Sequence, residues 1–175
     1  YAIPSTPVHI LATAGMRMLP IDTQQAILAE TCRVLREHPF STASTSSDGL
    51  CGGQVRIITG EEEGLFGWTA INYLMDGFSN STTFGFLDMG GASTQIAFEP
   101  DEHVSQEPGA GAAQVNHGMF DVTIRRLDAT EVQHHVFVTT FLGFGTNAAR
   151  ERYVNKLAAD TTSVSYTHLT LPTKA

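Results

Sequence analysis

Thr83-Phe84-Gly85-Phe86-Leu87-Asp88-Met89-Gly90-Gly91-Ala92-Ser93-Thr94-Gln95-Ile96-Ala97-Phe98 reads as two short apolar strands, 83–89 and 93–98, joined by a glycine pair. Glycine pairs between such runs are a strong short-range turn signal, so the stretch predicts a tight β-hairpin. Its tip carries chemistry. Without side chains at Gly90 and Gly91, main-chain N–H groups around Gly90, Gly91 and Ala92 can approach a ligand closely, as in the backbone nests that suit phosphate. Asp88, at the end of the first strand, is placed to orient water on a divalent cation, while Ser93 and Gln95 present neutral hydrogen-bonding groups on alternate positions of the second. The competing reading is a plain β-turn with a capping Asp, and for an isolated Gly-Gly that is the better one.

Upstream, Val55-Arg56-Ile57-Ile58-Thr59 has the β-branched content of a strand and delivers the chain into Gly60-Glu61-Glu62-Glu63-Gly64-Leu65-Phe66-Gly67. Glycines at both ends make this an acidic loop, with a helix following over 68–78. Adjacent acids more often form a solvated face. A hydrolytic base must however be fixed within reach of its water, and a glycine-flanked turn can aim one carboxylate inward, so at most one of the three need be catalytic. Residues 8–13 form an apolar run that breaks at Ala14-Gly15, a strand entering a turn. There Thr13 could bond a phosphate oxygen or water. Arg17 could neutralise charge or form a structural ion pair, the latter favoured for the residue taken singly. Asp22 caps a helix in which Ile27, Leu28, Thr31, Cys32 and Leu35 recur on one face, and Pro39 stops it.

Downstream, 100–118 reads as a surface loop, 121–127 and 134–141 as a strand pair closed by Gly143 and Gly145, and 147–157 as a helix. His134 and His135 are adjacent on a strand, so they face opposite ways and make no metal-ligand pattern; both are expected at the surface or in packing.

The chain has 175 residues, 42% of them hydrophobic, which suits one globular domain with a core. A net charge of −8 argues against a nucleic-acid partner, because phosphate backbones are held by clustered Lys and Arg. A phosphate substrate would need backbone amides or a metal instead. No apolar run is long enough to span a bilayer and no signal peptide is visible, but the chain begins at Tyr1 without Met, so its natural N-terminus is expected to lie upstream. Cys32 and Cys51 flank a polar segment and are equally consistent with a disulfide and with two free thiols.

Three blocks taken together are far more specific than any one. Ala12-Thr13-Ala14-Gly15-Met16-Arg17-Met18-Leu19, Ile58-Thr59-Gly60-Glu61-Glu62-Glu63-Gly64-Leu65-Phe66-Gly67-Trp68 and the stretch 88–96 resemble, in order and spacing, the second, third and fourth conserved regions of the apyrases, the nucleoside triphosphate diphosphohydrolases, with the nearest likeness to the fungal Golgi members. The similarity runs from about Pro7 to Leu157 and includes Leu142-Gly143-Phe144-Gly145-Thr146-Asn147.

The resemblance implies an α/β, actin-like fold of two RNase H-like lobes, with nucleotide and Ca²⁺ or Mg²⁺ in the cleft between them. On it, residues 1–58 are the remainder of the N-terminal lobe, 59–160 the first half of the second, and 161–175 a non-native tail resembling translated adaptor sequence. It gives Glu63 the role of general base. Thr13, Ala14, Ser93 and Gln95 would hold the water or terminal phosphate, Gly90, Gly91 and Ala92 would form a phosphate loop, and Asp88 would organise the metal's water shell; Trp68 would lie near the metal in a structural capacity. The implied reaction is in-line attack of water on a terminal phosphoryl group, releasing phosphate from nucleoside tri- or diphosphates.

The family's setting, the lumenal face of the Golgi membrane or alternatively the extracellular space, raises the expectation of a Cys32–Cys51 disulfide and of a membrane anchor in the full-length protein. The first and fifth conserved regions have no counterpart here, so the chain holds about half of the cleft and is expected to be inactive alone. Two alternatives stay open: a diphosphatase restricted to GDP and UDP, and a nucleotide-binding fragment without hydrolysis. An actin-like kinase or chaperone relative is disfavoured by the Glu-Glu-Glu-Gly and Ala-Thr-Ala-Gly-Met-Arg blocks.

Overall fold

The computed structural model describes residues 3–42, 50–79, 82–100, 118–126 and 128–161. The expected tail at 161–175, apart from Thr161 at the end of a helix, and all but the ends of the expected loop at 100–118, lie outside the described residues. The described part is a mixed α/β arrangement built on two sheets.

In the first sheet, β1 (Ile10–Ala12) and β2 (Val55–Ile57) run parallel, with Ile10 opposite Val55 and Ala12 opposite Ile57. Parallel neighbours need a crossover, supplied here by α1 (Ala14–Arg17) and α2 (Ile21–Arg36). Two expectations change. The strand expected to be buried before the turn at Ala14-Gly15 is largely exposed, and the turn itself is a single helical one, because the Thr13 carbonyl accepts the N–H groups of Met16 and Arg17. The α2 cap is Pro20 rather than Asp22; proline has no N–H to leave unpaired there, and Asp22 sits in the first turn, where a carboxylate complements the helix dipole. Leu28, Cys32 and Leu35 of α2 pack with Val8, Cys51 and Val55. Cys32 and Cys51 form a disulfide across a 5.9 Å Cα separation, and Cys51, Gly52 and Gly53 all take left-handed backbone conformations to bring the chain to it.

The second sheet is antiparallel, in the order β3 (Phe86–Met89), β4 (Ser93–Phe98), β6 (Glu131–Leu142), β5 (Met119–Arg125). The expected hairpin is β3–β4, and the expected second strand pair is β5–β6, longer than its apolar run because Glu131 to Leu142 continue the ladder to both neighbours. One face of this sheet lies under α3 (Gly60–Leu74). Trp68 of α3 is fully buried there with Phe78, Ala97, Val136 and Val138, flanked by Leu65, Phe86, Phe120, Val122 and Ile124. α4 (Thr146–Thr161) follows β6.

The expected loop at 60–67 is the first half of α3, and the expected helix at 68–78 begins eight residues earlier, ending at Leu74 before a 3-10 turn at Gly77–Ser79. Gly60, Gly64 and Gly67 stand at i, i+4 and i+7, the spacing of one helix face. A Cβ at Gly64 would lie 2.7 Å from Val138 Cγ1, and one at Gly60 or Gly67 would overlap Thr140 or the Phe86 ring. The glycines let the helix backbone settle onto the sheet, and that burial outweighs their helix penalty of about 1 kcal/mol each. At the far end, the buried Asn72 side chain accepts from the Phe84 N–H at 2.7 Å and donates to the Phe84 and Trp68 carbonyls, both at 3.0 Å, fixing the approach to β3.

Candidate functional site

β1 and β2 end side by side, with the Ile58 N–H donating to the Ala12 carbonyl at 2.9 Å, so Thr13 and Thr59 leave the carboxyl ends of adjacent parallel strands. Such ends are where ligands bind in open α/β sheets. From Thr13 the chain turns into α1, with Ala14 buried and Thr13 exposed. From Thr59 it turns into α3, closed by a capping box: the Glu62 N–H donates to Thr59 Oγ1 at 3.1 Å and the Thr59 N–H to Glu62 Oε2 at 2.9 Å.

The helix sorts the three glutamates. Glu62 is held by the cap and by Arg56 at 2.8 Å, and the Thr59 N–H, aided by Arg56, holds its carboxyl below the ordinary carboxylate range. Glu61 lies half-buried beside Thr139 and Thr140. Glu63 turns toward the strand ends, where Arg17 Nη2 meets its Oε2 at 3.0 Å with both side chains 17% exposed.

Arg17 also donates through Nη1 to the Ile58 carbonyl at 2.7 Å and through Nη2 to Ser93 Oγ at 3.5 Å. Ser93 Oγ accepts from Gln95 Nε2 at 2.6 Å, and the same nitrogen reaches Thr140 Oγ1 at 3.2 Å. Gln95 is fully buried, yet its Oε1 has no hydrogen-bond partner among the described residues. An orphaned buried acceptor is costly, so it marks a place for a donor such as water. Asp88 lies directly across the ladder from Gln95, on the same face of the sheet.

The hairpin tip is fastened from behind. Gly90, Gly91 and Ala92 carbonyls accept the N–H groups of Thr146, Asn147 and Gly143 at 2.8, 3.0 and 2.7 Å, and a side chain on Gly145 would collide with the Gly91–Ala92 backbone. The Gly90 N–H closes the hairpin onto the Ser93 carbonyl at 3.0 Å, so what Gly90 offers a ligand is the lack of a side chain rather than a donor.

Of the sequence candidates, Glu63, Ser93 and Gln95 are linked in one chain of contacts, with Asp88 beside it and Thr13 and Ala14 at the start of the arginine's helix. Cys32 and Cys51 sit apart, in the α2 core. His134 is buried between Trp68 and Phe78 with its Nδ1 3.1 Å from Glu99, while His135 is exposed beside Asp121. Among the described residues no group of three His, Cys, Asp or Glu side chains converges as a direct metal cage. Sequence reading gives Thr140 and the 143–147 buttress no role in the site, although glycine at 145 is what a close backbone approach demands, and glycine at 143 suits its left-handed backbone.

Comparison with known proteins identifies the family. The profile of the GDA1/CD39 (nucleoside phosphatase) family matches residues 2–169. The chain is 44% identical over 160 residues to a Golgi apyrase of Saccharomyces cerevisiae, covering 87% of this chain and 24% of that protein. It is 39% identical to a Golgi apyrase of Schizosaccharomyces pombe, covering 87% and 25%, and 36% identical to human ectonucleoside triphosphate diphosphohydrolase 7, covering 89% and 28%. It thus spans about a quarter of the length of these relatives. With nearly its whole length matched, and with the three motif blocks meeting around Arg17 and Ser93, the chain belongs to the GDA1/CD39 (nucleoside phosphatase) family.

Proposed function

We propose that the full-length protein hydrolyses nucleoside tri- and diphosphates to monophosphates, and that this chain supplies one side of its catalytic cleft. The observation that carries the reading is the run Glu63–Arg17–Ser93–Gln95, which ends on a buried amide oxygen with no hydrogen-bond partner among the described residues. Its relatives are named apyrases and a triphosphate diphosphohydrolase.

In this reading the attacking water donates to Gln95 Oε1 and lies within reach of Ser93 and Glu63. As the water oxygen bonds to the terminal phosphorus, its proton passes to the Glu63 carboxylate, the bridging P–O bond breaks, and the electron pair leaves on the shortened nucleotide. Thr13 and the Ala14 backbone, with Gly91 and Ala92 at the hairpin tip, contact the terminal phosphate, and Gly90 leaves room for it. A divalent cation, Ca²⁺ or Mg²⁺, would offset charge on the phosphate oxygens when bound. Asp88 fits it as an acceptor for metal-bound water: it is a half-buried carboxylate beside Gln95, and binding through water requires no cage of side chains.

Residues 1–58 and 59–160 are read as parts of two actin-like lobes. The setting proposed is the Golgi lumen, with the extracellular space as the alternative; either is oxidising, in keeping with the Cys32–Cys51 bond.

Glu63→Gln in the full-length protein tests the reading. Phosphate release should fall by about 10²–10⁴-fold, while nucleotide affinity measured at equilibrium stays unchanged. Wild-type turnover in this variant rejects Glu63 as the base.

A further inference from the structure

We infer that Arg17 is the positioning residue for Glu63, fixing where the carboxylate stands and which of its oxygens faces the water. The inference rests on the reading of Glu63 as base. Three elements converge on one guanidinium: the Ile58 carbonyl after β2 at 2.7 Å, Glu63 Oε2 in α3 at 3.0 Å, and Ser93 Oγ in β4 at 3.5 Å. A guanidinium is planar and its donors form a rigid fork, so anchoring Nη1 on a backbone carbonyl sets the direction in which Nη2 points. Nη2 then holds Glu63 Oε2 and leaves Oε1 as the oxygen for the proton in flight.

Without this tether a glutamate in the first turn of a helix has three rotatable bonds and open solvent to explore. The ion pair is 17% exposed on both sides, so it is better sheltered from screening than the 57–63% exposed Arg33–Glu30 pair on α2. The link to Ser93 ties the base to the hydroxyl that accepts from Gln95 Nε2, so that base and water site hold one relative position. Both Nη2 hydrogens are engaged by protein acceptors, which favours positioning over direct capture of phosphate.

The test uses the full-length enzyme, with Arg17→Ala, Arg17→Lys and Glu63→Gln made singly and Arg17→Ala also combined with Glu63→Gln. Arg17→Ala should lower kcat about 100-fold, the cost of a misplaced reacting group, with KM for the nucleotide within about threefold of wild type. Added guanidinium chloride, at concentrations that leave the protein folded, should restore part of that activity, whereas sodium chloride at the same ionic strength should not. Arg17→Lys should be intermediate, since an ammonium reaches Glu63 but cannot bridge it to the Ile58 carbonyl in a fixed plane. In the Glu63→Gln background, removal of Arg17 should cost nothing further.

Full activity of Arg17→Ala with an inactive Glu63→Gln overturns the positioning role alone. A KM raised more than about tenfold with kcat preserved also overturns it, identifying Arg17 as a phosphate ligand. So does a kcat loss that guanidinium does not relieve and that recurs in full without Glu63. Turnover retained by Glu63→Gln overturns the base reading, and this one with it. If Arg17→Ala melts below the assay temperature, Arg17→Lys carries the same kcat and KM comparison.

Discussion

Glu62, one residue before the proposed base, reports on its cap through pH. Its carboxyl is held low first by the Thr59 N–H and then by Arg56, against the opposing effect of partial burial. A carboxyl whose folded pKa is depressed stabilises the fold above its unfolded value and loses that contribution as pH falls through the folded one. Glu62→Gln keeps a side chain able to complete the capping box but removes the charge. The variant should therefore be less stable than wild type at neutral pH, and the gap should close as denaturation is followed into acid below the ordinary carboxylate range. Thr59→Ala removes the Oγ1 acceptor of the Glu62 N–H while keeping the backbone N–H that Glu62 accepts, and should lower stability by about 1 kcal/mol at neutral pH. A gap between wild type and Glu62→Gln that widens in acid would show that the carboxylate is not held in its charged form.

At the scale of elements, α3 turns on its glycines. Gly64→Ala gains up to about 1 kcal/mol of helix propensity but drives a methyl to 2.7 Å from the buried Val138, and overpacking of this kind costs about 1–3 kcal/mol. Chemical denaturation should show a net loss. Gly15→Ala, at an exposed helical position with nothing within 4 Å, should be neutral or stabilising. The same helix shows where sequence reading stops. The β3–β4 hairpin is legible because a glycine pair between apolar strands is a local signal, and the β5–β6 pair because two strand-like runs closed by glycines are a local signal too. Gly60 to Gly67 was read as a loop because glycine is poor in helices taken alone; what overrides that is contact with Thr140, Val138 and Phe86, all distant in sequence. A signal was nonetheless present, in Thr59 followed three residues later by Glu62, the mark of a capping box. Site residues were legible as three blocks through family resemblance. That Arg17 joins them was not, since its partners lie 41, 46 and 76 residues away.

For the molecule as a whole, the Cys32–Cys51 bond closes a separation of 19 residues, for which the loss of chain entropy in the unfolded state corresponds to about 3 kcal/mol. Cys32→Ser combined with Cys51→Ser should lower the free energy of unfolding by about that amount. The native chain should take up no alkylating reagent on sulfur until it is reduced, when both cysteines react. Two alkylatable thiols without reductant would contradict the bond. The bond uses no residue beyond 51, whereas Glu63, Asp88, Ser93, Gln95 and Thr140 are all made later. At the pace of synthesis, the 91 residues from Cys51 to Leu142 take about 5–18 s, a time in which catalysed thiol oxidation can act. A chain entering an oxidising compartment amino end first can thus tie α2 to the segment before β2 while β4 and β6 are still to be made. The strand that carries Ser93 and Gln95 then meets a helix already tied down by its disulfide.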